Sequence, residues 1–320
     1  MSPFGSAYPF STAHPFVIVF AGCAGLLGRT RLKGQTALLA GAATLVIAAT
    51  LPQTAYADPT LPDIPAIDFS TILPKAATRS ILKTIGILTN HRPYRGASST
   101  SASSFDIGVE ATLVHQPSDF ASSLKDAGLG TGAAGIPSLP MAKLHVNKGL
   151  SQTVDVGLSG IYFRSNYIAG GDLKVTFYQP EEGMSLSARL GFSLTRLDLS
   201  DLGVGRLPIK IQGNDLGSAD MILVTQTWTP QLVASQKLDF AETYMALGYD
   251  FTSGQIRLPI TVNVLQSTQT LASPSYASSG LFATLGVGFR FFPMPLVLSI
   301  EGTYSALGMH ALGLMFGLGF

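Results

Sequence analysis

From Phe105 to Phe320 apolar and polar residues alternate. Phe105, Ile107, Val109, Ala111 and Leu113 share one parity; Asp106, Gly108, Glu110 and Thr112 share the other. A period of two sends successive side chains to opposite faces of an extended strand. The pattern recurs over Val154–Ser159, Leu173–Tyr178, Leu186–Leu194, Ile256–Val264, Leu281–Arg290, Leu296–Thr303 and Leu312–Phe320. Pro259, Phe282, Val297 and Met315 blur the polar parity without breaking it. Four weaker stretches, Met141–Asn147, Leu207–Gln212, Met221–Trp228 and Leu238–Asp250, bring the expected count to about twelve strands, with ten or fourteen left open. Pro208 weakens the second of these, because proline donates no ladder hydrogen bond.

The connections also alternate. Counting back from Phe320, short links fall at Phe292–Pro295, Thr252–Gly254, Pro180–Gly183 and Asn147–Gln152. Longer ones fall at Gln116–Pro140, Arg164–Ala169, Thr229–Lys237 and Ser267–Ser279. Asn214–Ala219 is long for the short-link end, and Ser305–Gly308 is short for the other. Aromatic residues gather at strand ends: Phe177, Phe251, Phe289, Phe291, Phe292 and Phe320 at the short-link end, Tyr162, Trp228 and Tyr304 at the other.

Composition decides what such a sheet packs against. Only 12% of the residues are charged, where soluble domains average about 25%, and mean hydropathy is +0.34. After residue 57 no segment approaches the ~20 consecutive apolar residues of a spanning helix. Lipid forces every backbone polar group to be paired internally, so only helices and closed barrels cross it. The expected fold is therefore all-β: a closed antiparallel up-and-down transmembrane β-barrel over residues 105–320, apolar outside and polar inside. The 34 glycines suit a sheet that curves. A net charge of +1 offers no basic patch for nucleic acid.

The N-terminal third has a different organisation. Arg29, Arg31 and Lys33 precede an apolar run from Ala37 to Leu51, and Ala55-Tyr56-Ala57 reads as a cleavage site. Residues 1–57 are thus expected to be an export signal, with a start codon mis-assigned upstream of about residue 29. Phe20-Ala21-Gly22-Cys23 looks like a degenerate lipobox, and Phe16–Leu27 with Ala37–Leu51 could form a short membrane hairpin; both readings fit less well. Residues 58–104 are expected to form a periplasmic lead-in. Leu73, Ala77, Ile81, Ile85 and Leu88 recur at helical spacing opposite Lys75, Arg79 and Lys83, which predicts an amphipathic helix over 72–88. Such a helix could plug the lumen, lie on the inner leaflet or cover the barrel mouth. Ala97–Ser104 is a Ser-rich linker.

With these features the chain resembles bacterial outer-membrane β-barrel proteins as a class. The resemblance implies that Phe320, with Leu318, Phe316, Leu314 and Leu312 at alternate positions before it, is read by the barrel-assembly machinery. It also implies outer-membrane lipid as a partner, and leaves the oligomeric state open. Met141–Phe163 is similar to a recurring element of uncharacterised barrel proteins, which brings no activity.

Charged residues of the polar parity are expected to line the lumen: Glu110, Asp155, Lys174, Arg189, Glu242, Arg257 and Glu301, with Asp106 and Lys210. They suit a passive pore for a small solute, or a salt-bridged structural barrel, since about twelve strands lie between a filled lumen and an open channel. The competing reading is a non-conducting barrel that binds a partner through its outer loops, above all Gln116–Pro140. A hydrophobic-ligand transporter and a lipid-active enzyme are further alternatives. Outer-membrane phospholipases need Ser and His together on the outer face. His115 and His310 have no Ser two residues away on an apolar face, and His145 is expected at the periplasmic end. No catalysis, metal or cofactor is therefore expected.

Overall fold

A computed structural model describes residues 69–115, 120, 122, 125, 138–201, 206–211, 214–262, 267–291 and 293–320, with the backbone alone for 71–72, 207–217 and 260–269. The expected export signal, residues 58–68, most of the Gln116–Pro140 loop and Phe292 lie outside the described residues. Among the described residues two helices, α1 (Phe69–Ile72) and α2 (Lys75–Thr89), precede thirteen strands. These are β1 (Phe105–His115), β2 (Ser138–Gly149), β3 (Val154–Phe163), β4 (Asn166–Tyr178), β5 (Met184–Asp198), β6 (Leu207–Ile211) and β7 (Asn214–Ala219). β8 (Ile222–Lys237), β9 (Ala241–Val262), β10 (Ser267–Ala272), β11 (Tyr276–Phe291), β12 (Leu296–Ser305) and β13 (Met309–Gly319) complete the chain.

Ten strands close an antiparallel ring in the order β9-β11-β12-β13-β1-β2-β3-β4-β5-β8, with β8 pairing back onto β9. The first and last strands seal it: Asp106 to Val114 pair with Gly319 to Ala311. Phe105 and Phe320 exchange backbone hydrogen bonds of 2.9 and 2.8 Å. The exterior is apolar, with Leu158, Leu232 and Leu285 62%, 64% and 66% exposed. Short turns gather at the end where β1 begins and β13 stops, and the longer excursions lie at the other; these are called the turn end and the loop end.

Two corrections take the expected twelve strands to ten. Leu207–Gln212 falls on β6, which pairs only with β7 in a separate hairpin. Lys210 therefore belongs to that hairpin and not to the ring, and Asn214–Ala219 is its second strand rather than a turn-end link. Leu238–Asp250 and Ile256–Val264 are parts of one long strand, β9. Thr252 and Gly254, read as a turn, pair with Thr227 and Thr225 of β8 in its interior. A β-carbon on Gly254 would lie 2.7 Å from the Val224 carbonyl oxygen, so this glycine serves close strand approach. Thr229–Lys237, read as a loop, continues β8. Its proline, Pro230, sits where the β8–β9 ladder skips two residues, so the missing N–H interrupts no pairing there. Arg164–Ala169 contracts to a two-residue turn between paired Phe163 and Asn166, with Arg164 at φ 55°.

Candidate functional site

The candidate site is the lumen, because the chain fills it with its own N-terminal segment. Leu73, just before α2, and Ala77, Ile81, Ile85 and Leu88 of α2 form a buried stripe. It packs on inward residues near the loop end: Val114, Ile168, Leu197, Leu223, Ile256 and Leu258. Gly86 lies mid-helix where alanine would favour the helix by about 1 kcal/mol, yet a β-carbon there would meet the Thr252 methyl at 2.5 Å. Close seating of the helix on β9 accounts for it. The other face of α2 reaches loop-end groups: Lys83 donates to the Leu307 carbonyl at 2.8 Å, and the Arg79 guanidinium lies 5.6 Å from the Tyr276 ring centre.

Beyond α2, Asn90 to Ser104 descends through the middle of the barrel to the turn end, tied by polar contacts. The Asn90 amide donates to Asp250 and Thr229, both at 3.1 Å. His91 Nε2 lies 2.6 Å from Asp172 Oδ1, and Asp172 Oδ2 lies 3.1 Å from Arg189 Nε. Arg92 donates to Glu301 at 3.3 Å and to Thr303 at 2.9 Å, while the Tyr244 hydroxyl donates to the other Glu301 oxygen at 3.1 Å. Tyr94, at φ 51°, stands edge-on to the His145 ring with its hydroxyl 3.2 Å from Thr112 Oγ1. Arg95 pairs with Asp106, which Arg290 also contacts at 2.9 Å.

The residues expected in the lumen divide accordingly. Glu110 is fully buried between Lys143 at 2.6 Å and His145 at 2.8 Å. Asp155 and Lys174 pair at 2.8 Å, and Lys174 donates to the Gly96 and Ser98 carbonyls at 3.0 and 2.6 Å. Arg189 donates to the Arg95 carbonyl at 3.1 Å. Glu242 accepts from Ser235 at 2.6 Å and from the Ser98 amide at 3.2 Å. Glu301 meets Arg92 as described. Arg257 must be corrected: its neighbours Ile256 and Leu258 face inward and are buried, so Arg257 stands on the outward face. The reason is that α2 makes the loop-end part of the lumen apolar. There the polarity of the alternation inverts, as it does at Leu197 and Leu199 beside Arg196 and Asp198. His145 is corrected too, from the periplasmic end to the buried lumen.

Phe320, Leu318 and Phe316, expected to form the assembly signal, are 66%, 41% and 57% exposed along the outside of the closing strand. Phe251 moves from the short-turn end to a place beside Trp228, its partner across the ladder. Phe240, in the Leu238–Phe240 turn, stacks on Phe289 with ring centres 6.3 Å apart.

The sequence reading missed the plug's own contribution: Asn90, His91, Arg92, Tyr94 and Arg95, together with wall residues Lys143 and Asp172. A signal existed. Asn90-His91-Arg92-Pro93-Tyr94-Arg95 is a dense polar run in a chain that is only 12% charged, set directly after a helix with a wide apolar stripe. Space beside the plug is scarce in mid-lumen. A cavity of about 30 Å³ remains beside His91, Arg92 and Glu301, room for about two waters. Towards the turn end a larger cavity of about 370 Å³ is bordered by Arg95, Asp106, Glu242 and Arg290.

An apolar exterior, a polar and filled interior and a closed antiparallel ring of ten strands define an outer-membrane β-barrel. No family model and no curated protein matches the chain. Several solved structures are similar to it. Ail, the attachment invasion locus protein of Yersinia pestis, is 11% identical, with 69% of this chain and 100% of that one covered and a TM-score of 0.29. The outer membrane protease OmpT of Escherichia coli is 11% identical, covering 68% and 94% with a TM-score of 0.37. The outer membrane protein Omp33 of Acinetobacter baumannii is 6% identical, covering 71% and 100% with a TM-score of 0.28. At these values the likenesses assign neither a family nor an activity.

Proposed function

We propose that the protein is a self-sealed outer-membrane barrel that holds and presents surface structure, and that as folded it passes no solute by passive diffusion. The lengthwise occupancy of the lumen by Phe69–Ser104 carries this reading. Seven carboxylates point inward, at Asp106, Glu110, Asp155, Asp172, Glu242, Asp250 and Glu301, and each has a hydrogen-bonding or ionic partner. Five of the seven have plug side chains among their partners: Arg95 for Asp106, Thr100 for Asp155, His91 for Asp172, Asn90 for Asp250 and Arg92 for Glu301. A selective pore instead presents its charges to permeating ions. Arg189 and Glu301, the residues that best suited a pore lining, are committed to holding the plug. At the loop end the β6–β7 hairpin and the β9–β10 extension are the elements offered to a partner.

Planar-bilayer recording on the purified full chain tests this, and no discrete conductance steps are expected. Removal of residues 69–104 should open a cation-preferring pore, because the seven carboxylates would then face, among the described residues, the wall cations Lys143, Lys174, Arg189 and Arg290. Steps in the full chain whose ion selectivity changes with Arg189→Ala or Glu301→Ala would overturn the sealed reading.

A further inference from the structure

The plug has a direction: it starts at the loop end and stops at the turn end. Phe69, Leu73 and Ala77 belong to the cluster of Val114, Phe120, Leu197, Leu199 and Ala219, all at or near the loop end. The other end of the plug lies at the turn end. Ser99 Oγ donates to the Ser151 carbonyl in the β2–β3 turn, the Ser99 amide donates to Gln179 beside the β4–β5 turn, and Lys148 donates to the Ala102 carbonyl. The polypeptide therefore runs through the lumen from loop end to turn end, reverses at Ser101–Ser104, and returns to the loop end as β1.

In barrels of this type the short turns face the periplasm and the longer loops face outward. We propose that the plug is threaded outward: Phe69, at its start, stands at the outer mouth, and Phe69–Ser104 is a translocated segment rather than a plug inserted from the periplasm. The plug meets Asp172, Asp250 and Glu301 on different strands of the wall at mid-lumen, so it spans the barrel from side to side. Plug and β1 would then enter as a hairpin with its bend at Ser101–Ser104, which requires Phe69 to reach the outer mouth before the lumen is packed. The proposal rests on the lumen being occupied as described, and it goes beyond the sealed reading by fixing a direction of export.

The test is thiol accessibility in intact cells that express the full chain with Cys23→Ser, so that each variant has a single cysteine. Lys75→Cys probes the exposed start of α2, Ser101→Cys the exposed bend at the turn end, and Ser165→Cys the loop-end turn between β3 and β4. A membrane-impermeant maleimide should label Lys75→Cys and Ser165→Cys in intact cells. It should label Ser101→Cys at least tenfold less until the outer membrane is permeabilised. Protection of Lys75→Cys while Ser165→Cys is labelled would overturn the proposal, and so would labelling of Ser101→Cys alone. Conductance of the same Lys75→Cys protein separates the two readings: a conducting barrel with an outward Lys75→Cys would sink the seal and leave the export direction standing.

Discussion

Arg92→Leu is the most informative single change. The Arg92 and Glu301 side chains are 7% and 2% exposed, and the guanidinium also bonds Thr303. With leucine in its place, Glu301 would keep only the Tyr244 hydroxyl at 3.1 Å as a partner. Breaking a buried ion pair from one side costs about 3–5 kcal/mol. At about 1.4 kcal/mol per decade, the balance between seated and released plug would move by two to four decades. The ring's backbone ladders are untouched, so the loss should appear in plug release more than in loss of strands. The assay pairs denaturant titration in detergent with bilayer recording: the midpoint should fall and transient openings should appear. Adding Glu301→Leu should recover most of the loss, because replacing both members of a buried pair by apolar residues is close to neutral. The coupling energy would then be about 2 kcal/mol or more, near the top of the range for contacting residues. An Arg92→Leu protein with an unchanged midpoint and no openings would refute the view that this pair ties plug to wall.

Three further outcomes follow from the same geometry. Gly313→Val should lower stability by about 1–3 kcal/mol through overpacking, since a β-carbon there would lie 2.6 Å from the Tyr94 hydroxyl; Gly302→Ala, with nothing within 4 Å, should leave the denaturation midpoint in place. Leu158→Lys, on the lipid face, should cost about 2–4 kcal/mol if its position lies near the bilayer midplane, whereas Arg257→Ala, outside the lumen, should stay within about 0.5 kcal/mol in the same titration. Phe320→Ala should reduce the folded, heat-modifiable band in cells while leaving refolding into detergent nearly intact; equal losses in both assays would remove the case for an assembly signal at the C-terminus.

Away from the loop end, the sequence by itself determined the faces of the sheet, and it gave the identity of the closing strand and the buried stripe of the N-terminal helix. Each is a local property: side-chain direction repeats every two residues in a strand and every 3.6 in a helix, so parity and spacing suffice. Strand count was less legible, because local turn chemistry is ambiguous. Thr252-Ser253-Gly254 and Thr229-Pro230 look like turns, yet their neighbours on β5, β8, β9 and β11 hold them extended. Fusing two expected strands and moving β6 out of the ring leaves the count even. This is why both ends of the barrel fall on the same side whether the count is ten or twelve.

Only the tertiary structure decided what the lumen contains. Alternation says that Glu110, Asp172 and Glu301 point away from lipid, but not whether they meet water, each other or a distant part of the chain. Their partners Lys143, His91 and Arg92 are 33, 81 and 209 residues away in sequence. The inversion at Ile256 and Leu258, which puts Arg257 outside, has the same origin. An inward position is polar or apolar according to what stands opposite it, and near the loop end that is α2, from another part of the chain.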